Sequence, residues 1–451
     1  MFKTIFKNIR ETWKVDEYRL SKYTHIVNHD EKTIFFNCYH GTKSIVELNL
    51  NTDPLNLTQL NNKDFILLQQ KGHLVKCDLN ENILIYELYK KYQNIKSLSL
   101  TILPNENCNF RCEYCYETLK KKQMDEKTIE AIISYVEENI YKYSSLNVAW
   151  YGGEPLLSMN IITRLSQRFI EICKEHKKLY FASITTNGYY LDLDTFRKLK
   201  KCNIFSYQIT LDGYRESHDK QRPLYNGRGT YDVIFNNLIE IKKNIKSRMF
   251  KIILRTNCSK SNLKNFDMYV NDLLRYFSDD KRFEILLRPV MNWGGTRIDK
   301  IKNDLIDIST INEFIKILLE QDRKGQLSYY TGLLEPTGSV CYAGYKNHLT
   351  INSTGEIFKC TCDLNNNMNS KIGKINENSK IMIDQKNSNK WCTDIKFKKF
   401  ECNNCCFAPI CLFDYCPGKR NFERTLSLPC PFEKYFLDSL LVLLSKRKKE
   451  I

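Results

Sequence analysis

Short apolar runs alternate with amphipathic helical patterns through the middle of the chain. Six runs fit buried strands, at residues 98–103, 148–151, 181–186, 207–211, 251–256 and 283–289. The stretches between them fit helices, at residues 126–143, 160–174, 193–200, 231–243 and 263–277. The alternation predicts an α/β fold of repeated βα units around a parallel sheet, with its chemistry at the carboxyl ends of the strands.

The two flanks of this region have different patterns. Before it, strands at 24–28, 33–39 and 73–77 and helices at 44–49, 64–70 and 82–92 predict a small winged-helix-like domain without a catalytic constellation. After about residue 338 the chain is rich in cysteine and irregular until an amphipathic stretch at 431–444. We expect metal, rather than a large apolar core, to hold this last part together.

Composition narrows the class of protein. A chain of 451 residues with 42% hydrophobic content predicts two or three domains. The first 20 residues lack an apolar signal segment and no apolar run approaches a bilayer span, so we expect a cytoplasmic protein without a membrane partner. Cytosolic thiols stay reduced, so the 18 cysteines predict metal binding. The charge of +17 is dispersed over many lysines, and we do not expect nucleic acid as a partner.

The first cysteine cluster directly follows the first predicted strand. Cys108, Cys112 and Cys115 have the spacing C-x3-C-x2-C, and three thiolates can ligate three irons of a 4Fe-4S cube while the fourth iron stays open. The same spacing also fits one buried stripe of a helix. Pro104 and the asparagines around it favour a loop.

With this motif the sequence resembles the radical S-adenosylmethionine (radical SAM) enzymes, and the resemblance covers about half the chain. In that family the cysteine motif follows the first strand of a partial (β/α)6 barrel. The resemblance implies two cofactors, a 4Fe-4S cluster and S-adenosylmethionine, whose amino and carboxylate groups bind the open iron. It also implies a 5'-deoxyadenosyl radical that abstracts hydrogen from a substrate.

Further motifs at the strand ends match the family. The cofactor-binding residues that the resemblance implies are Tyr151, Gly152, Gly153, Glu154, Thr185, Thr186, Asn187, Asp212, Arg222 and Arg255. Glu154, in the sequence GGEP, could neutralise the cofactor's ammonium, and Arg222 could pair with its carboxylate. Read alone, the GGEP sequence also fits a plain turn. Thr185 and Thr186 also fit a turn at the entry to a helix. His218 is better explained as a structural residue than as a catalytic base.

A second cysteine array occupies the C-terminal part. Its members are Cys341, Cys360, Cys402, Cys405, Cys411, Cys416 and Cys430. By itself the array fits a zinc ribbon. After the upstream motif it resembles the SPASM extension, which houses two auxiliary 4Fe-4S clusters.

The SPASM resemblance implies two ligand sets. Cys402, Cys405, Cys411 and Cys430 would hold one auxiliary cluster, and Cys341, Cys360 and Cys416 the other. The gap from Cys411 to Cys416 is one residue longer than is usual in the family. The three-cysteine set lacks a fourth ligand, so either Cys362 or Cys406 substitutes, or the iron is open to a substrate thiolate.

The order of elements in the N-terminal part resembles a RiPP recognition element, which captures the leader of a ribosomally made precursor peptide as an added strand. An ordinary structural extension is the alternative. We therefore expect three domains: a leader-binding domain at 1–95, a radical SAM partial barrel at 96–325 and a SPASM domain at 326–451.

These resemblances predict a radical peptide maturase that forms a Cys-to-carbon thioether, as sactipeptide and ranthipeptide maturases do. Carbon-carbon cross-linking and formylglycine formation of the sulfatase-maturase type are alternatives, the latter with Asp363 as the nearest acid or base. A zinc-ribbon protein that binds RNA is an alternative of another class. The expected partners are a precursor peptide with a leader and a reductant such as flavodoxin or ferredoxin.

Overall fold

The N-terminal part of the molecule forms two small antiparallel sheets. A computed structural model describes residues 17–49, 60–120, 122–293, 297–321, 328–364, 370–422 and 430–447. The strands of the first part are β1 (Tyr18–Leu20), β2 (Thr24–His29), β3 (Lys32–Asn37), β4 (Val46–Leu48) and β5 (Leu74–Lys76). β1 pairs with β5, and the other three form a sheet in the order β2-β3-β4. Helices Asn62–Gln70 and Glu81–Gln93 complete this part and confirm two predicted helices.

The predicted helix at 44–49 is wrong. A 3-10 turn, Gly41–Ser44, leads into strand β4, which pairs with β3. Val46 and Leu48 are buried beside Phe35, whereas Glu47 between them is only partly buried. This alternation has a period of two residues and therefore fits a strand. Three residues are too few for such a period to be recognised in the sequence.

The centre of the molecule is a ten-stranded sheet. Six strands lie in chain order and run parallel: β6 (Ser97–Ile102), β7 (Ser145–Trp150), β8 (Leu179–Thr186), β9 (Ile204–Thr210), β10 (Lys251–Cys258) and β11 (Phe283–Pro289). The main helices between them are Glu126–Asn139, Met159–Glu175, Leu193–Lys201, Tyr231–Asn244 and Phe266–Phe277. All six predicted strands and the α/β class are confirmed.

Strand β7 illustrates how the parallel sheet separates the main core from a cavity. In β7, Leu146, Val148 and Trp150 are buried in the main core, while Ala149 lines a cavity on the opposite face. The last helix of the series begins at Phe266 rather than at the predicted residue 263, because Asn265 has a positive φ of 64° and interrupts the helical backbone. Helices Arg215–Gln221, Ile308–Gln321 and Ser328–Leu333 are not predicted by the sequence.

The cysteine-rich part extends the same sheet. β12 (His348–Ile351) pairs in parallel with β6, and β13 (Glu356–Phe358), β14 (Lys371–Ile375) and β15 (Ile381–Ile383) follow it in antiparallel order. Ile351, Ile357 and Ile372 are fully buried in the main core. This part therefore shares the main apolar core, and its stabilisation by metal stays a prediction. Its strands are three to five residues long, so their periodicity is hidden in the sequence.

The last described helix packs against the N-terminal part of the molecule. Helix Leu437–Arg447 contacts β2 and β3, and its residues Leu440 and Leu441 share the main core with Ile34 and Phe36. The shorter helices before it are Gln385–Trp391, Ala408–Cys411 and Pro417–Phe422. None of the described helices is both long and apolar enough to cross a bilayer.

Candidate active site

A cavity of about 600 Å³ lies at the carboxyl ends of the parallel strands. The predicted site residues that line it are Cys108, Cys112, Cys115, Tyr151, Gly152, Gly153, Thr185, Thr186, Asn187, Arg222, Arg255, Cys341, Cys360 and Cys416. Glu154 and Asp212 are fully buried behind its wall. The cavity therefore brings together residues from both cysteine clusters and from the ends of four strands.

The first three cysteines lie in a loop after β6, not in a helix, so the alternative of a buried helical stripe is wrong. Backbone hydrogen bonds fix the loop: Phe110 forms an antiparallel bridge with Leu224, and the Cys115 amide donates to the Cys112 carbonyl at 3.3 Å. Burial raises the pKa of the Cys108 and Cys112 thiols, and that of Cys115 to about 12. Each of these thiols would be protonated near neutral pH unless a cation replaced the proton.

The two glycines after β7 are required by the cysteine loop itself. A Cβ on Gly153 would lie 2.2 Å from the Asn107 carbonyl oxygen, and one on Gly152 would lie 2.5 Å from the Asn105 carbonyl oxygen. Gly152 also has a φ of 119°, a conformation that favours glycine. The sequence suggested that these glycines make room for a ligand. In the structure they also make room for the backbone that carries the cysteines.

Glu154 connects the ends of two strands. Its carboxylate accepts hydrogen bonds from the Thr186 hydroxyl at 2.6 Å and from the Asn187 amide at 2.7 Å. The Leu156 amide donates to the same carboxylate at 3.0 Å. Burial raises the pKa of Glu154, and these donors oppose the rise. The Glu154 side chain thus fixes the cavity wall formed by β7 and β8.

A buried polar network surrounds Arg222. Its Nη1 donates to the Tyr114 hydroxyl at 2.5 Å, and that hydroxyl in turn donates to Asp212. Asn257 adds a backbone hydrogen bond to Asp212 at 2.7 Å and a side-chain bond to Tyr114 at 3.0 Å. Arg222 Nε has no partner within the described residues. The network orients a guanidinium on the cavity wall, where it can bind a carboxylate.

Tyr114 is a site residue that sequence reasoning missed. Its signal was an aromatic position between Cys112 and Cys115. Glu117 was also missed: it lines the cavity, and burial together with the charge of Glu106 raises its pKa to about 7. Asn257 also lines the cavity, close to the predicted residue Arg255.

Three cysteines of the C-terminal array, Cys341, Cys360 and Cys416, form an inner group that lines the cavity. Burial raises the pKa of Cys341, and the neighbouring thiols of Cys360 and Cys416 raise it further. The Cys341 amide donates to the Tyr415 carbonyl at 3.2 Å, which joins the loop before β12 to the loop that carries Cys416. The inner group therefore faces the same cavity as Cys108, Cys112 and Cys115.

The remaining four cysteines form an outer group that does not line the cavity. Burial raises the pKa of Cys411 to about 12, and the thiols of Cys405, Cys402 and Cys430 contribute to the rise. The chain turns directly from Cys411 to the inner group, since the Asp414 amide donates to the Cys411 carbonyl at 3.1 Å. The two groups of the array are thus neighbours.

The two candidates for a missing ligand lie in different places. Cys362 lines the cavity, two residues after Cys360. Cys406 instead lies beside His25 of the N-terminal part, with 3.8 Å between its Sγ and the ring Nδ1. Only Cys362 is therefore near the inner group.

The donors fit iron–sulfur clusters. Each group offers cysteine sulfurs, which are the usual ligands of these clusters. Within the described ranges, no three side chains of His, Cys, Asp or Glu are placed to hold a single metal ion. A 4Fe-4S cube does not need three side chains around one metal ion, because each of its cysteine ligands binds a different iron.

Comparisons with known proteins agree with this geometry. Residues 102–256 match the model of the Radical SAM superfamily. An uncharacterised protein of Methanocaldococcus jannaschii is 27% identical over 297 residues, which are 63% of this chain and 91% of that protein. The cysteine-type anaerobic sulfatase-maturating enzyme of Clostridium novyi is 24% identical over 352 residues, 70% of this chain and 87% of that protein.

Two further similarities extend the comparison. The radical SAM cyclopropyl synthase TigE of Paramaledivibacter caminithermalis is 24% identical over 336 residues, 65% of this chain and 68% of that enzyme. The solved structure of native anSMEcpe with bound AdoMet and Cp18Cys peptide has a TM-score of 0.59 and 20% identity, and the match covers 79% of this chain and 100% of that one. At this identity the likeness supports the fold. Residues 102–256 therefore form a radical SAM domain, whose cofactors are a 4Fe-4S cluster and S-adenosylmethionine.

Proposed function

We propose that Cys108, Cys112 and Cys115 hold the cluster that binds S-adenosylmethionine. When bound, these cofactors supply a 5'-deoxyadenosyl radical that removes a hydrogen atom from the substrate. The proposal is supported by the convergence of the three thiols on the cavity and by their C-x3-C-x2-C spacing.

The cavity wall positions S-adenosylmethionine. Arg222 pairs with its carboxylate, and Asp212 and Tyr114 orient the guanidinium. Glu154 keeps the ends of β7 and β8 in place, and its contact with the ammonium remains a prediction. The other proposed contacts are Tyr151, Gly152, Gly153, Thr185, Thr186, Asn187 and Arg255.

The C-terminal array holds two auxiliary 4Fe-4S clusters in this proposal. The inner group, Cys341, Cys360 and Cys416, holds the cluster that faces the cavity, and the outer group, Cys402, Cys405, Cys411 and Cys430, holds the other. The fourth position of the inner cluster is taken by Cys362 or by a thiolate of the substrate. The location of Cys406 beside His25 argues against its candidacy.

The substrate of the proposed reaction is a ribosomally made precursor peptide. The observation that carries this proposal is the single cavity of about 600 Å³ between two cysteine groups, which can admit a side chain or short segment of a peptide. The similar anSMEcpe structure, solved with bound AdoMet and the Cp18Cys peptide, supports a peptide substrate.

The product we propose is a Cys-to-carbon thioether, with a carbon-carbon cross-link as the alternative. The test is anaerobic incubation with a short cysteine-rich precursor encoded beside the gene, S-adenosylmethionine and reductant. A thioether predicts 5'-deoxyadenosine, loss of two hydrogens from the peptide and loss of one thiol that iodoacetamide can alkylate. A carbon-carbon link keeps that thiol. A peptide of unchanged mass, without 5'-deoxyadenosine, would defeat both products.

Formylglycine formation is a second candidate, supported by similarity to the Clostridium novyi sulfatase-maturating enzyme. Asp363, the proposed acid or base, is buried in the turn Thr361–Asp363 and does not line the cavity. A sulfatase-derived cysteine peptide distinguishes the two functions. Exchange of its thiol sulfur for a carbonyl oxygen would favour formylglycine formation over cross-linking.

The N-terminal part is proposed to bind the leader of the precursor. Its three-stranded sheet has two outer strands, β2 and β4, and an extended peptide can add to such an edge. The domain boundaries 1–95, 96–325 and 326–451 belong to this proposal. Fluorescence anisotropy with a labelled leader peptide should give saturable binding, and a protein lacking the first 95 residues should lose it.

Iron and acid-labile sulfide in anaerobically purified protein test the cofactor assignment as a whole. A zinc-ribbon protein that binds RNA would contain zinc without sulfide. The proposed enzyme contains iron and sulfide in equal amounts. Its reductant is proposed to be a flavodoxin or a ferredoxin.

A further inference from the structure

The outer cysteine group lies beside exposed surface. Cys402 and Cys405 are partly exposed, and Glu401, Asn403 and Asn404 around them are exposed. The four thiols of this group do not line the cavity, so the substrate proposed above would not reach them there. A redox centre in this position would be accessible to another protein.

Lysines surround this group. Lys434 Nζ lies 3.3 Å from the Cys405 Sγ and 3.8 Å from the Cys430 Sγ. Lys399 is exposed three residues before Cys402, and Lys419 is partly exposed three residues after Cys416. We call Lys399, Lys419 and Lys434, with Lys22 and Lys398, the basic rim.

The other end of the basic rim is also crowded with positive charge. Burial lowers the pKa of Lys22; Glu81 opposes this effect, and the charge of Lys398 adds to it. Lys22 belongs to the N-terminal part, so two distant parts of the chain contribute to one basic surface. Like charges held close together destabilise a fold. A cluster of lysines on one surface therefore suggests that the surface has a binding role.

Two acidic residues near the rim are buried with their partners. Asp414 pairs with Arg420 at 3.1 Å, and Glu433 pairs with Arg288 at 2.6 Å. Asp438 contacts His25 at 2.6 Å but is exposed. Glu401 is also exposed, so these two acids offset part of the positive charge of the rim.

We propose that the basic rim is the docking surface for a small acidic one-electron carrier protein. The inference rests on the proposed function, because it requires a 4Fe-4S cluster in the outer group. Charge complementarity favours an acidic partner, and the outer group adjoins the inner group through the Cys411–Asp414 turn. Electrons can therefore pass between the carrier and the cavity.

Cross-linking releases one electron from the substrate, and this electron must leave the cavity. When a thioether forms, the substrate loses one hydrogen atom to the 5'-deoxyadenosyl radical, one proton to solvent and one electron. The carbon–hydrogen and sulfur–hydrogen bonds break, and the carbon–sulfur bond forms. The carrier is oxidised when it donates, at the rim, the electron that starts cleavage of S-adenosylmethionine, and it is reduced again when it takes up the remaining electron there.

The test compares two charge-reversed proteins. One carries Lys399→Glu and Lys419→Glu, and the control carries Lys198→Glu and Lys201→Glu on the barrel helix Leu193–Lys201, which undergoes the same charge change. Turnover of the full-length holoenzyme is measured with reduced flavodoxin and with dithionite over a range of salt concentrations. The ratio of flavodoxin-driven to dithionite-driven turnover should fall about 10-fold in the rim variant only, and its salt dependence should weaken.

Two outcomes would overturn the docking proposal: an unchanged ratio in the rim variant, or an equal fall of the ratio in both variants. Iron, sulfide and EPR spectra of the wild type report separately on the cluster. If the outer group holds no cluster, the proposed ligand set fails. If the cluster is intact and the ratio is unchanged, only the docking surface fails.

Discussion

The two cysteine groups that face the cavity are built in different ways. Cys108, Cys112 and Cys115 lie within eight residues of one loop, whereas Cys341, Cys360 and Cys416 come from three separate segments. The first group lies on one continuous loop, which is held by its own Cys115–Cys112 hydrogen bond and by pairing with the segment around Leu224. The second depends on pairing of β12 with β6 and on the contact between Cys341 and Tyr415. A local motif can be recognised by its spacing, but an assembled group needs the fold.

This difference also divides the proposed chemistry. The loop with Cys108, Cys112 and Cys115, the loop group, would generate the radical. The inner group, which is assembled from three segments, would complete the reaction on the peptide. Substitutions that remove one group and spare the other can therefore separate radical formation from product formation.

The largest effect is expected for Cys112→Ala. Loss of a ligand to the proposed S-adenosylmethionine-binding cluster should bring 5'-deoxyadenosine formation below detection, while iron and sulfide bound by the C-terminal array remain. Cys173→Ala, a buried cysteine on the helix Met159–Glu175, is the matched control and should retain activity. Substantial 5'-deoxyadenosine from the Cys112 variant would contradict the assignment.

A selective loss is expected for Cys341→Ala. The loop group is intact in this variant, so 5'-deoxyadenosine should still form, but misplacement of the peptide should lower cross-linked product by about 100-fold. Mass spectrometry and chromatography of the same reactions give both yields. Cys362→Ala sharpens the comparison, because full iron content in that variant would favour a substrate thiolate as the fourth ligand. Equal losses of both products in the Cys341 variant would argue against the division of roles.

Ile351→Ala tests what supports the assembled group. This side chain is fully buried in β12, and its truncation should destabilise the protein by about 2 to 5 kcal/mol, seen as a lower urea midpoint. Ile381→Ala in the outermost strand β15 is the control, with a smaller shift because Ile381 is only partly buried. Equal shifts would mean that the core around β12 contributes less than the burial of Ile351 suggests.

The smallest effect is expected for Tyr114→Phe. Removal of the hydroxyl breaks its hydrogen bonds to Arg222 and Asp212 and leaves only their direct contact at 3.7 Å. Loss of a hydrogen bond to a charged group costs about 1.5 to 3 kcal/mol. The KM for S-adenosylmethionine should therefore rise about 10-fold or more, with cluster content unchanged. Tyr231→Phe is the control, because the Tyr231 hydroxyl is buried without a hydrogen-bond partner in the described part of the chain. A wild-type KM for the Tyr114 variant would remove Tyr114 from the proposed carboxylate site.

The long elements of the barrel were predictable, and the short ones were not. Six strands and five helices repeat their periods often enough to be recognised, although Asn265 displaced one helix start. β4 was assigned as a helix because its three residues carry too little periodicity. The same limit hid β12 to β15, and with them the apolar core beneath the inner cysteine group.

The candidate site also contains one part that the sequence predicts and one part that only the fold brings together. Cys108, Cys112, Cys115 and the GGEP turn could be identified from their motifs taken together with the family resemblance, because each motif is continuous in the sequence. Tyr114, Asp212 and Asn257 meet only through the ends of three separate segments, so their hydrogen-bond network required coordinates.

By itself the sequence determined the α/β class, the order of the βα units and the cysteine loop, because helical and strand periods and short loops are local properties. The tertiary structure decided that the inner cysteine group shares the cavity with the loop, that Cys406 lies beside His25, and that Lys22 joins the lysines of the outer group. These contacts link residues that are distant in the chain. Their formation depends on sheet pairing and burial, which spacing along the sequence does not specify.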